Sequence, residues 1–115
     1  MSTFHTNQPT ERRADARRPC HQPCLVRFDR RHLDGQAGSV GAEGSIIDLS
    51  ACGAGLLLRS AVPVGTTLAI GPLGAETPPL PTACVVRRAP GAGRWRYGCG
   101  LQRRLKEEEL SAWLA

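Results

Sequence analysis

Residues 94–101 alternate without a break. Trp95, Tyr97, Cys99 and Leu101 stand at one parity, and Arg94, Arg96, Gly98 and Gly100 at the other. A period of two sends successive side chains to opposite faces of an extended chain, so this segment predicts a strand with one buried face. The run Pro90-Gly91-Ala92-Gly93 joins it in a hairpin to Cys84-Val85-Val86-Arg87, a second strand. Around this hairpin the other signals are also those of short strands. Cys24–Phe28 alternates weakly, and Arg30–Glu43, with Gly35, Gly38 and Gly41, reads as a loop. Ser45–Ser50 is a strand with Ile47 and Leu49 on one face and Asp48 and Ser50 on the other. Ala51-Cys52-Gly53 turns the chain, Gly55–Arg59 and Thr67–Ile70 follow as strands, and Gly71–Pro81 is a Pro/Gly-rich loop. Only the tail is helical, with Leu105, Leu110, Trp113 and Leu114 as an apolar stripe and acids in the first turn. The expected architecture is all-β: an antiparallel barrel over residues 20–103, capped by a helix near 106–114.

A chain of 115 residues makes one domain. Aromatic residues are only 4%, so the core must rest on Val, Leu, Ile, Ala and Cys. Five cysteines, an odd number spread through apolar stretches, predict buried reduced thiols and a cytoplasmic protein. No stretch has the length of a membrane span or the apolar core of a signal peptide, so membrane insertion is not expected. Cys20-His21-Gln22-Pro23-Cys24 lacks a second Cys/His pair nearby, so no metal is expected. There is no Ser/His/Asp set and no phosphate-cradling Gly-rich loop before a helix. The chain therefore reads as a binding protein without cofactor or catalytic residues.

The formal charge is +5, and Lys106 is the only lysine. Arginine offers a planar fork of donors suited to phosphates and guanine edges, where lysine offers a point charge. Residues 1–18 have almost no apolar periodicity and read as a flexible arginine-rich arm, leaving 19–115 as the barrel and helix. Within the arm, Arg13-Ala14-Asp15-Ala16-Arg17 places two guanidiniums up to about 13 Å apart in an extended chain. Asp48-Leu49-Ser50-Ala51-Cys52-Gly53 sets a carboxylate and a hydroxyl side by side at a strand end, before a glycine free to adopt positive φ. A carboxylate can accept from the adjacent N1–H and N2–H₂ donors of guanine. The hydroxyl and free backbone amides suit a phosphate, and the arginines balance the charge. Single-stranded nucleic acid is not the expected partner, because alternation puts Trp95 and Tyr97 on the face opposite Arg94 and Arg96.

R-x-x-x-R at Arg13 and Arg17, followed by D-x-S-x-x-G at Asp48, Ser50 and Gly53, resembles the paired motifs of PilZ domains, the bacterial receptors of cyclic di-GMP. Tyr97-Gly98-Cys99-Gly100-Leu101 and Lys106–Leu114 resemble the family's last strand and terminal helix, so the likeness runs over residues 11–115. It implies a six-stranded antiparallel barrel with no catalysis. It also implies a ligand site at Arg12, Arg13, Arg17, Asp48, Ser50 and Gly53, and an arm that orders around cyclic di-GMP and relays the signal to an unidentified protein partner. In this family an arginine at the position of Arg12 accompanies binding of a stacked ligand dimer, which implies two molecules per chain. The competing expectation is a ligand-independent PilZ-like interaction scaffold. Two departures stand out: Asp15 lies inside the arginine motif, where it can pair with an arginine, and Leu101 stands where the family more often has Phe.

Overall fold

The computed structural model describes residues 16–74 and 77–114. Six antiparallel strands run β1 (Arg18–Asp29), β2 (Ser39–Leu49), β3 (Gly53–Leu58), β4 (Thr67–Pro72), β5 (Ala83–Gly91) and β6 (Arg94–Leu101). They close into a barrel in the order β1-β2-β3-β6-β5-β4. A single helical turn, α1 (Arg31–Asp34), links β1 to β2, and α2 (Glu107–Leu114) ends the described chain. The all-β class, the barrel and the terminal helix agree with the sequence. Among the described residues no helix is long and apolar enough to cross a membrane.

The alternation of β6 holds: Tyr97 and Cys99 are buried, while Arg94 and Arg96 are exposed. Their inner partners are Leu56 and Ala54 of β3 and Val85 of β5, all without solvent contact or nearly so. The Tyr97 hydroxyl accepts from Val62 N–H at 2.8 Å and donates to the Ser60 carbonyl, which ties down the connection after β3. Burial raises the Tyr97 pKa. At one barrel end α2 packs Leu110 and Trp113 inward, 6% and 2% exposed. Trp113 donates its indole N–H to the Pro78 carbonyl at 3.0 Å, and its own carbonyl accepts from the Cys20 thiol at 3.4 Å. Glu109, at the third helical position, accepts the Lys106 backbone N–H at 2.8 Å, the reach-back half of a capping box. Arg103 grips the same carboxylate with two bonds.

Four expectations need correction. Strand β1 starts at Arg18, ahead of the Cys24–Phe28 segment expected, and β2 takes in residues 39–43, read above as loop; the two pair from Asp29–Ser39 up to Arg18–Leu49. The glycines of that stretch look like turn signals, but only Gly35 and Gly38 there have positive φ. The β2 faces also differ. A register break between Ile46 and Asp48 makes Ile47 a bulge, so Ile46 and Leu49 are both fully buried and Asp48 points outward. Ser50 is not beside Asp48 on the outer face; it is 2% exposed. Finally, all five cysteines are free thiols, but only Cys20, Cys24 and Cys99 are buried; Cys52 and Cys84 are exposed. Burial pushes the Cys24 thiol up to about 11 and the Cys99 thiol to about 12, which keeps both protonated and inert.

Candidate functional site

Toward the start of β3 and the end of β6, the outer face of these two strands is bare of side chains. Gly53 pairs with Gly100 and Gly55 with Gly98, so four glycines form a flat floor across two strands. Charged groups from the flanking strands lie over it. The Asp48 carboxylate of β2 covers Gly55, where a Cβ would stand 2.6 Å from Oδ1. The Arg87 guanidinium of β5 covers Gly98, where a Cβ would stand 3.2 Å from Nε. Arg17, just ahead of β1, covers Gly53, where a Cβ would meet Nη2 at 2.8 Å and the Cys99 carbonyl at 3.1 Å. Gly53 is thus needed for close approach. It is not among the positive-φ glycines, so the expected left-handed turn residue is corrected to a floor residue.

Arg17 and Asp48 meet directly. Arg17 Nη1 donates to Asp48 Oδ1 at 2.7 Å, with the two side chains 35% and 25% exposed. A half-exposed pair of this kind contributes about 0–1 kcal/mol. It sets the geometry of both groups without locking them, and a ligand with matching donors and acceptors can exchange for it. The carboxylate that pairs with the motif arginine in the described structure is therefore Asp48; Asp15 lies outside the described residues.

Ser50 builds the turn that carries Gly53. Its hydroxyl accepts the Gly53 N–H at 3.0 Å and the Cys52 N–H at 3.3 Å, while its own N–H reaches the Gly53 carbonyl at 2.9 Å. These bonds use the backbone amides that the sequence suggested for a phosphate. Ser50 acts here on the placing of Gly53 beneath Arg17. Above the floor opens a groove of about 540 Å³ lined by Arg17, Asp48, Gly55, Arg87, Arg96 and Gly98, among others. A smaller hollow of about 320 Å³, with Ser50, Gly53 and Val86 in its wall, adjoins it and shares Arg17, Arg87 and Gly98. The result is an open, cation-rimmed trough with one carboxylate, a shape suited to a flat, anionic ligand bearing hydrogen-bond donors.

The pattern shared by PilZ domains matches residues 11–115, essentially the whole chain. The chain belongs to the PilZ family. PilZ domains are binding domains of the cyclic di-GMP receptor family and not enzymes. No curated protein matches the chain. Of the sequence-derived site in this PilZ barrel, Arg17, Asp48, Ser50 and Gly53 come together at one corner. Arg12 and Arg13 lie outside the described residues. The motif reading passed over Gly55 and Gly98 and left Arg87 unplaced. A usable signal was present: Gly53/Gly55 and Gly98/Gly100 are two glycine pairs, each at strand period, in segments that otherwise alternate well.

Proposed function

We propose that this chain is a cyclic di-GMP receptor, and that the ligand occupies the trough over Gly53, Gly55 and Gly98. The observation that carries the reading is the 2.7 Å contact of Arg17 with Asp48, which joins the arginine motif to the strand-end motif at one point of the surface. Asp48 accepts from the N1–H and N2–H₂ of one guanine. Arg17, with Arg12 and Arg13 of the arm, takes phosphate oxygens and guanine O6 and N7. Binding replaces the Arg17–Asp48 pair with ligand contacts on both partners, and the arm folds over the trough and alters the surface offered to a partner protein. Arg12 adds the cation that a stacked ligand dimer, with four phosphate charges, requires. The stoichiometry is accordingly two molecules per chain.

Calorimetric titration of the Arg17→Ala and Asp48→Ala variants tests this. Charge-assisted hydrogen bonds contribute roughly 1.5–3 kcal/mol each. Each variant should therefore bind cyclic di-GMP more than tenfold more weakly than the wild type, and Asp48→Ala should also discriminate less against other purine dinucleotides. Wild-type affinity in both variants contradicts the site.

A further inference from the structure

Two β-bulges in this barrel do the same thing. In β2, the extra residue Ile47 turns Asp48 outward between the buried Ile46 and Leu49. In β5, the register breaks between Val85 and Arg87: Val85 is buried, Val86 is 58% exposed, and Arg87 stays on the outer face. Without its bulge, each charged side chain would have the parity of the core. Bulges re-aim side chains and gather next to sites.

The two re-aimed residues face each other across one row of the sheet. Asp48 pairs with Gly55, Gly55 with Gly98, and Gly98 with Arg87. Their backbones are three strand spacings apart, roughly 14 Å, and both side chains reach inward over the glycines between them. A carboxylate therefore lies over one glycine of the row and a guanidinium over the next, and the groove opens above them. Among the described residues the Arg87 side chain has no hydrogen-bond or ion-pair partner, whereas Arg17 already holds Asp48. Arg87 is held by the sheet and not by the arm.

We propose that Arg87 is the second guanine-reading residue of this site, completing with Asp48 a seat for one guanine over Gly55 and Gly98. This rests on the cyclic di-GMP reading above. Guanine places N1–H and N2–H₂ donors on its Watson–Crick edge and the O6 and N7 acceptors on the adjoining major-groove edge, so Asp48 takes the first set and Arg87 the second. Adenine conflicts at both ends: its N1 accepts where Asp48 needs a donor, and beside an unchanged N7 its 6-amino group donates where Arg87 needs a second acceptor. The identity of that guanine is then read on the rigid sheet, while the arm takes the phosphates and the O6 and N7 of the other guanine.

The test is calorimetric titration of the full chain with cyclic di-GMP, for wild type, Arg87→Met and Arg87→Lys. Methionine keeps the length without the charge; lysine keeps the charge without the fork. Arg87→Met should weaken binding tenfold or more, and Arg87→Lys should stay within about threefold of Arg87→Met, because a point charge cannot make the paired contact. Arg87 is exposed, so both variants should retain the wild-type melting temperature. Binding by Arg87→Met within twofold of wild type, or wild-type affinity restored by lysine, overturns the assignment while leaving the receptor reading intact. A wild type that does not bind at all overturns both.

Discussion

The glycine-floored trough and the barrel end under α2 belong to one barrel but are built on opposite terms. Under α2, Trp113 and Leu110 fill space against the core and Trp113 also satisfies its indole N–H on Pro78. In the trough, space is left open: glycines carry no side chain, and the charged groups above them rest on each other or on solvent. The first arrangement gains stability from burial, and the second keeps ligand-seeking groups available at little gain in stability. The wall of β3 and β6 faces core and trough at once, because it presents Leu56, Tyr97 and Cys99 inward and glycines outward. Changes in the two regions should therefore separate: stability lost at one, binding lost at the other.

The largest separation is expected for Trp113→Ala. Removing a buried tryptophan costs about 3–5 kcal/mol, and urea denaturation should show that loss. The folded fraction should still bind cyclic di-GMP with near wild-type affinity, since Trp113 lines neither hollow of the trough. A large affinity loss in folded Trp113→Ala would break the comparison.

Gly55→Ala is the converse. The new methyl would stand 2.6 Å from Asp48 Oδ1, and the carboxylate must swing away from it. Because the obstructing atom is the end of a side chain, the barrel should lose little stability. Displacing the carboxylate proposed to read the base should reduce affinity by about tenfold, or about 1.4 kcal/mol. Calorimetry for binding and thermal melting for stability decide it together.

The smallest effect sharpens the account of α2. The bonds from Arg103, and then that from the Lys106 N–H, lower the Glu109 pKa from an ordinary 4.5 to about 2. A depressed carboxylate pKa means that its contribution to stability is complete above pH 4.5 and is lost as pH falls through about 2. Urea midpoints of wild type and Glu109→Gln should differ at pH 6 and converge toward pH 2. A difference that does not shrink in acid would mean that the charge of Glu109 has no part in holding the helix start.

How much of this was legible in the sequence differs along the same line. The packed region was: unbroken alternation in β6 and the stripe through Leu110 and Trp113 follow from periodicity, which burial enforces. The strand-end motif and the arginine motif were legible as residue types. Their geometry was not. A period-two reading carries no notice of a bulge, so Ile47 was given the core position that Ile46 holds, and Arg87 gave no sign of which face it takes. The role of Ser50 was hidden because a hydroxyl that closes a turn and one that meets a ligand look alike as letters. The contact of Arg17 with Asp48 bridges 31 positions and depends on how β1 enters the barrel beside β2.

The most direct test of the trough as the ligand site is to follow backbone amide resonances while cyclic di-GMP is added, with GMP as the control. Gly53, Gly55 and Gly98 should shift strongly and saturably with cyclic di-GMP and weakly with GMP, while the Trp113 indole N–H, held on Pro78, should stay in place. Shifts centred on Trp113 and Pro78, or glycine resonances that do not move at saturating cyclic di-GMP, would contradict it.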